Sequence, residues 1–252
     1  MLEKLIHFTP APKQMDDKVV LVTGASEGIG KAVALALAKH GATVLLLARN
    51  EEKLDAVYDE IESAGAPTPV IVPFDLANTD PAPYRELTTM IKEHFGRLDG
   101  LLHNAGALGK LTPLSQYSID DFKQLLDVNL TSNFLLTQAL LPLLSLSPSA
   151  SVLFTSSGVG RKPRAYWGAY AISKAAIEAL MQLFHQELNT SSTIRFNSLN
   201  PRATNTAMRR AAYPAENPAS NPQPDELVNA YLYLLSDASA GISGQQLDAR
   251  DA

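Results

Sequence analysis

Cysteine is absent from the 252-residue sequence. The chain therefore has no disulfide bond and no thiolate nucleophile, and a cysteine-based metal site is excluded, so we assign it no metal. Disulfide-bonded proteins belong to oxidising compartments, whereas a chain without cysteine fits a reducing one. We therefore expect a cytoplasmic protein.

Long apolar runs are also missing. Residues 1–17 mix charged residues with two prolines, and we interpret them as a short arm because a signal peptide needs an uninterrupted apolar core. The most apolar later stretch, residues 134–146, is interrupted by polar residues and Pro142 and is too short to span a bilayer. The sequence therefore predicts a soluble protein with no membrane partner.

Blocks of like charge are absent as well. The net charge of −5 arises from acidic and basic residues that are interspersed along the chain. A nucleic-acid-binding protein normally carries a basic patch or stripe, which this pattern does not provide. Nucleic acid is therefore not an expected partner.

Short β-rich apolar runs alternate with longer stretches of helical periodicity. This alternation predicts an α/β protein with a parallel sheet between two layers of helices. We expect a single-domain Rossmann fold over residues 18–252, with a doubly wound parallel sheet of about seven strands and helices on both faces. The runs that we assign to strands are residues 19–23, 43–48, 69–74, 100–103, 151–155 and 194–199.

Several residues mark helix ends. Gly41 is a plausible C-cap for a helix over residues 29–39, and Asn50 can cap the next helix. Ser118 begins a segment that resembles a capping box and opens a helix running toward Pro142. Another helix should follow Gly168 and continue to about Leu188. Residues 213–224 hold four prolines and little periodicity, which favours a mobile loop.

A glycine-rich turn joins the first strand to the first long helix. Gly24, Gly28 and Gly30 allow a sharp turn, a close approach to a pyrophosphate and tight packing of the helix on the strand. The helix N-terminus would supply N–H donors and the positive end of its dipole. A simple strand-to-helix turn without a ligand is the alternative interpretation. The position of the glycines between a strand and a long helix favours dinucleotide binding.

Arg49 ends the second strand, where NAD-binding folds commonly place an acidic residue for the adenosine ribose. A guanidinium at this point could pair with a 2′-phosphate, so we favour NADP(H) over NAD(H). Glu27 weakens this interpretation, because some NADP-binding relatives carry a basic residue there. A solvated residue at a strand end is the alternative interpretation of Arg49.

Tyr170 and Lys174 lie four positions apart near the start of a predicted helix and therefore share a face. A nearby ammonium stabilises phenolate and should lower the tyrosine pKa, which suits general acid/base catalysis. Such a pair is common by chance, but Ser157 precedes it at the end of a strand, where open α/β sheets bind ligands.

Together these motifs resemble the short-chain dehydrogenase/reductase (SDR) family from about Asp17 to the C-terminus. The resemblance implies hydride transfer between a nicotinamide cofactor and a carbonyl or alcohol substrate. Four residues match the catalytic set: Tyr170 as acid/base, Lys174 on the nicotinamide ribose, Ser157 on the substrate oxygen and Asn129 beside a proton-relay water. Ser156 replaces Ser157 only if the register slips by one residue. The remaining cofactor-binding positions that it implies are Gly24, Ser26, Gly28, Ile29, Gly30, Arg49, Asp75, Leu76, Asn104, Ala105, Gly106, Pro201, Thr204 and Thr206.

Some features depart from the family pattern or leave alternatives open. Arg202 follows Pro201 where the family usually has glycine, and His103 precedes Asn104 where a second asparagine is usual. Trp167 could form a wall of the substrate pocket or simply pack. An anionic substrate is conceivable if the basic residues near the site are not merely solvated: Arg161, Lys162, Arg164, Arg209 and Arg210.

Two other functions remain open at this point. One is a 3-oxoacyl-acyl-carrier-protein-type reductase, in which basic residues would dock the carrier. The other is a non-catalytic dinucleotide sensor on the same fold, which would normally lose the tyrosine or the lysine. The family resemblance also implies a homodimer or homotetramer.

Overall fold

The structure is a computed structural model that describes residues 5–250. Its centre is a seven-stranded sheet in the order β3-β2-β1-β4-β5-β6-β7, and all neighbouring strands are parallel. This confirms the doubly wound α/β fold. The strands are β1 Val19–Thr23, β2 Thr43–Ala48, β3 Val70–Pro73, β4 Gly100–His103, β5 Ser151–Thr155, β6 Arg195–Asn200 and β7 Gln245–Asp248.

Helices cover both faces of the sheet. Successive β1 residues point to opposite faces, so Val20 and Val22 join one core cluster whereas Val19 and Leu21 join the other. The helices are α1 Gly28–Lys39, α2 Glu51–Ser63, α3 Pro81–Phe95, α4 Ile119–Leu126, α5 Ser132–Leu144, α6 Gly158–Arg161, α7 Gly168–Leu188, α8 Ala207–Ala212 and α9 Val228–Leu235. Helices α1, α2 and α9 pack on one face, and α3, α5 and α7 on the other.

The predicted caps of α1 and α2 are present. Gly41 follows α1 with a left-handed φ of 101°, and its N–H donates to Ala38 O. Asn50 Oδ1 accepts the Lys53 N–H at 2.8 Å. Both contacts satisfy backbone groups that a helix end otherwise leaves without a partner.

The helix that begins after Ser118 is not continuous. Ser118 caps α4 by accepting the Asp121 N–H, but the Asp121 carboxylate binds Lys110 rather than completing a capping box. A π-helical turn at Asp127–Thr131 then separates α4 from α5. Single π turns within helices are frequent at functional sites, and this one contains Asn129.

Two irregular segments pack on the domain. In the predicted arm, Leu5 and Met15 are fully buried, and the Met15 N–H donates to His40 O. The segment 213–224 holds one short 3₁₀ turn, Pro218–Ser220, and its Glu216 accepts from Asn221. The mobility expected for this segment stays a prediction. Residues 1–4 of the arm and 251–252 of the domain lie outside the described residues.

Within residues 5–250, none of the helices combines the length and the apolar composition that crossing a membrane requires.

Candidate active site

The chain order reverses at β1, whose neighbours in the sheet are β2 and β4. Open α/β sheets form a crevice at such a switch point, outside the carboxyl ends of the strands. A cleft of about 1870 Å³ lies at this edge. It is lined by the glycine turn, by Arg49, and by the ends of β4, β5 and β6.

The glycine turn brings backbone into the cleft. Gly24 and Gly28 have φ of 67° and 57°, values that favour glycine. A Cβ on Gly30 would lie 2.1 Å from Gly24 O, so Gly30 is required for the turn to pack on α1. Glu27, at the N-cap position of α1, makes no capping side-chain hydrogen bond. The first N–H groups of α1 can therefore bind an anion.

Thr23 connects the glycine turn to the segment after β4. Its Oγ1 accepts the N–H groups of Asn104 and Ala105, each at 3.0 Å, and donates to Leu102 O at 3.2 Å. Asn104 Nδ2 donates back to Thr23 O at 3.2 Å. Sequence reasoning missed Thr23, whose only signal was its position directly before Gly24 at the end of a buried strand.

Arg49 lies in the cleft and is exposed. Glu27, the residue that weakened the NADP interpretation, pairs with Lys53 Nζ at 2.5 Å and not with Arg49. Across residues 5–250, no carboxylate forms an ion pair with Arg49. Asp75 and Leu76 line the same region, and Asp75 Oδ1 accepts the Ala77 N–H at 3.0 Å.

Tyr170 and Lys174 share one face of α7 and line the cleft with Ser157. Lys174 is 3% exposed, and its Nζ donates to Thr155 O at 2.8 Å and lies 5.7 Å from the centroid of the Tyr170 ring. Burial lowers the pKa of Lys174 to about 8, while the Glu178 carboxylate opposes this shift. With this pKa, Lys174 is still mostly protonated at pH 7 and becomes neutral as the pH rises above about 8.

The structure corrects the predicted pKa of Tyr170. Burial raises the pKa of Tyr170 above its ordinary value, and the Ser157 hydroxyl opposes that shift. Desolvation disfavours phenolate and outweighs the stabilisation by the Ser157 hydroxyl, so the pKa shifts in the direction opposite to the one predicted from the sequence. The phenol is therefore protonated at neutral pH.

Ser157, rather than Ser156, is the serine beside Tyr170. Ser156 is 2% exposed, and its Oγ donates to Glu178 Oε1 at 2.5 Å. Because this hydrogen bond points the Ser156 hydroxyl toward buried Glu178, its proton is not available to a substrate oxygen. The register proposed from the sequence is therefore retained.

Asn129 is fully buried and does not line the cleft. Its side chain exchanges hydrogen bonds with the Ala107 backbone at 2.7 and 2.9 Å and donates to Ser173 Oγ at 3.0 Å. Its backbone carbonyl oxygen accepts a hydrogen bond from Asn133 Nδ2 at 3.0 Å.

Gly106 lies close to Asn129 and Lys174. A Cβ added to Gly106 would lie 3.5 Å from Asn129 Oδ1 and 3.7 Å from Lys174 Nζ. The proton-relay role of Asn129 stays a prediction.

A chain of ion pairs runs behind the site. Arg202 pairs with Asp248 at 3.0 Å, Asp248 with Arg161 at 3.1 Å, and Arg161 with the buried Glu178 at 2.9 Å. Arg202 has a φ of 63°, the left-handed region that the usual glycine would favour. Sequence reasoning flagged Arg202 but missed Glu178, which carries no motif.

The structure thus brings most of the predicted site residues together. Pro201, Thr204 and Thr206 complete the cleft wall after β6, and Thr206 Oγ1 caps α8 by accepting the Arg209 N–H at 3.1 Å. Of the predicted positions, only Gly30 and Asn129 do not line the cleft. Their contacts support the glycine turn and α7, respectively.

Comparisons with known proteins agree with this geometry. A family model described as short chain dehydrogenase matches residues 18–217. An uncharacterized oxidoreductase of Escherichia coli K12, YciK, is 42% identical over 97% of this chain and 96% of its own length. A short chain dehydrogenase structure from Pseudomonas syringae superposes with a TM-score of 0.95 at 51% identity, covering 96% of this chain and 98% of that one. A further structure, from E. coli CFT073 and described as complexed with NADPH, gives a TM-score of 0.92 at 43% identity over 96% of this chain and all of its own (100%).

Proposed function

The chain belongs to the short-chain dehydrogenase family of NAD(P)-dependent oxidoreductases, and we propose that it uses NADP(H) to interconvert a carbonyl compound and the corresponding alcohol. One observation carries the proposal. The protonated Tyr170, Ser157 and the buried Lys174 lie in the same cleft as a glycine turn that can accept a pyrophosphate.

The residues present fit a dinucleotide. The turn at Gly24, Gly28 and Gly30 leaves backbone where a side chain would otherwise stand, and the first turn of α1 offers N–H groups to phosphate. Asp75 and Leu76 would contact the adenine end. At the other end, the nicotinamide half would be held by Lys174, the segment 104–106 and the segment that contains Pro201, Thr204 and Thr206.

Arg49 supports NADP over NAD. Its guanidinium is exposed in the cleft, and its charge is not offset by an ion pair within the described chain. A guanidinium binds phosphate through two parallel hydrogen bonds, so it suits the extra 2′-phosphate of NADP. The NADPH complex of the E. coli CFT073 relative supports the same preference.

In the reducing direction, Tyr170 would donate its phenolic proton to the carbonyl oxygen of the substrate. The bound nicotinamide supplies the hydride. Ser157 would donate a second hydrogen bond to the negative charge that develops on that oxygen. Lys174 would bind the ribose and, when protonated, stabilise the phenolate that Tyr170 leaves. The raised pKa keeps Tyr170 protonated, so it carries the proton to be transferred, but it also makes the phenol a weaker acid, so the Lys174 ammonium would be needed to stabilise the phenolate as it forms.

The proposed reaction can be tested with purified protein and NADPH. A panel of small aldehydes, ketones and 3-oxoacyl thioesters is assayed by NADPH absorbance. We expect oxidation of NADPH with at least one free carbonyl compound. Activity confined to the 3-oxoacyl thioesters would instead favour a 3-oxoacyl-acyl-carrier-protein-type reductase. Nucleotide binding with no turnover of any member would favour the non-catalytic dinucleotide sensor and contradict the proposal.

Three broader features also belong to the proposal. The first is the division of the chain into an arm, residues 1–17, and one dinucleotide-binding and catalytic domain, residues 18–252. The second is assembly as a homodimer or homotetramer, and the third is a cytoplasmic location. Light scattering tests the assembly, and a monomeric protein would contradict it.

A further inference from the structure

We propose that the substrate is a neutral carbonyl compound bearing an aromatic ring, and that Trp167 and Tyr213 bind this ring. This inference rests on the proposed carbonyl chemistry at Tyr170. It concerns the end of the cleft beyond Tyr170, where none of the family motifs specifies a ligand.

Three aromatic rings form a continuous wall at this end. The Trp167 ring centroid is 5.7 Å from that of Tyr170 and 5.7 Å from that of Tyr213. Trp167 and Tyr213 are half-buried and line the cleft, so part of each ring faces the open space. A substrate ring beside Tyr170 would therefore meet aromatic surface, which it can stack on in offset or tilted geometry.

Tyr213 is held in place by Arg209, which also lines the cleft. The Arg209 guanidinium carbon lies 3.8 Å from the centroid of the Tyr213 ring. Glu216 fixes that guanidinium through two hydrogen bonds of 2.6 Å each. An ion-paired guanidinium over an aromatic face restricts the ring to one orientation. The wall is therefore preorganised, although Tyr213 lies in a segment with little regular structure.

The charges around the wall favour a neutral substrate. Arg209 pairs with Glu216 and Lys110 pairs with Asp121, each at 2.6 Å. Arg202 and Arg161 are engaged by Asp248. Lys162 and Arg164 do not line the cleft. Of the basic residues that suggested an anionic substrate, Arg210 lines the cleft without an ion pair among residues 5–250, and it donates to Asn205 Oδ1 at 2.8 Å. The others are engaged with carboxylates or located elsewhere.

A pair of ketones that differ only in the ring tests this inference. In 4-phenylbutan-2-one and 4-cyclohexylbutan-2-one the ring is insulated from the carbonyl, so the two carbonyl groups have similar reactivity. We expect the wild-type protein to favour the phenyl compound in kcat/KM by at least about fivefold, because two aromatic contacts are added. Trp167→Ala and Tyr213→Ala should each reduce this ratio toward one. Tyr166→Ala should leave it unchanged, since Tyr166 is 61% exposed and does not line the cleft.

Binding provides a second readout, because Trp167 is the single tryptophan of the sequence. Quenching of its fluorescence by each ketone, measured with NADP⁺ present, gives a dissociation constant without turnover. Equal kcat/KM for the two ketones, or an unchanged ratio in Trp167→Ala, would overturn the aromatic-substrate inference while carbonyl reduction stands. Tighter binding of the phenyl compound without any reduction would support the aromatic wall and contradict the proposed function. Equal binding without reduction would overturn both.

Discussion

At the scale of single residues, burial and charge compete at Lys174. Removal from water favours its neutral form, whereas Glu178, one helical turn away, favours the ammonium. Glu178 is itself 5% exposed and is satisfied by Ser156, Ser198 and Arg161. Burial lowers the pKa of Lys174, and Glu178 limits how far that pKa falls.

Replacing Glu178 tests this balance. Glu178→Gln keeps the shape of the side chain and one acceptor oxygen, replaces the other oxygen by an NH₂ group, and removes the negative charge that raises the pKa of Lys174. We expect that pKa to fall below about 8. Because the ammonium is lost as pH rises through the pKa, the alkaline limb of the kcat/KM profile should move to lower pH. Glu187→Gln, an exposed position on the same helix, is the control. An alkaline limb that does not move would contradict the role given to Glu178.

Arg49 provides a second prediction at this scale. Arg49→Ala should raise KM for NADPH by about tenfold to a hundredfold, the range expected for losing a charge-assisted hydrogen bond of roughly 1.5–3 kcal/mol. KM for NADH should change little, since NADH has no 2′-phosphate. Arg164→Ala removes an exposed guanidinium outside the cleft and serves as the control. Equal losses with both cofactors would rule out recognition of the 2′-phosphate by Arg49.

The sequence predicted the residues that carry motifs but not the residues that support them. Tyr170, Lys174 and Ser157 were predictable because their spacing and their positions on a helix and at a strand end follow local rules. Thr23 and Glu178 act through contacts between distant segments, which no local pattern encodes. The direction of the Tyr170 pKa shift was missed for the same reason, since it depends on burial depth.

At the scale of elements, the segment after β6 illustrates how a departure from a family pattern is accommodated. Arg202 has left-handed backbone that costs a residue with a side chain about 1–2 kcal/mol relative to glycine. The side chain offsets part of this cost by pairing with Asp248, and the Arg202 N–H donates to Asn200 Oδ1. Arg202 thereby links this segment to β7.

Two substitutions separate the strain at Arg202 from its ion pair. Arg202→Ala loses the pair and keeps the strained backbone, whereas Arg202→Gly loses the pair and removes the strain. We expect the glycine variant to exceed the alanine variant in free energy of unfolding by about 1 kcal/mol. Urea unfolding of both proteins measures this difference. An alanine variant that is equally or more stable would show that the backbone is not strained.

The observed bounds of most elements are close to those predicted from apolar runs and helix caps in the sequence. The six strands assigned from the sequence differ from their observed bounds by one residue at most, whereas β7, Gln245–Asp248, was not among the assigned runs. The π turn at Asp127–Thr131 was not predicted, since its residues have ordinary helical character. The tertiary contact at this turn is between the Asn129 side chain and the Ala107 backbone, which local sequence patterns do not encode.

At the scale of the whole molecule, the parallel sheet gathers residues from across the sequence into one cleft. The glycine turn follows β1, Arg49 follows β2, and Ser157 follows β5, so each lies at a carboxyl strand end. The fold was predictable because alternating strands and helices admit few topologies. The aromatic wall was not, because Tyr213 joins Trp167 only through the path of an irregular segment.

The proposed NADPH-dependent reduction depends on a proton donated by Tyr170. The most direct test compares Tyr170→Phe with the wild-type protein, using NADPH binding and the turnover of a reducible ketone. Loss of a general acid costs about 10²–10⁴-fold. We therefore predict a fall of at least about a hundredfold in kcat, with the dissociation constant for NADPH essentially unchanged. Near-normal turnover by the variant would contradict the role of Tyr170 as the proton donor.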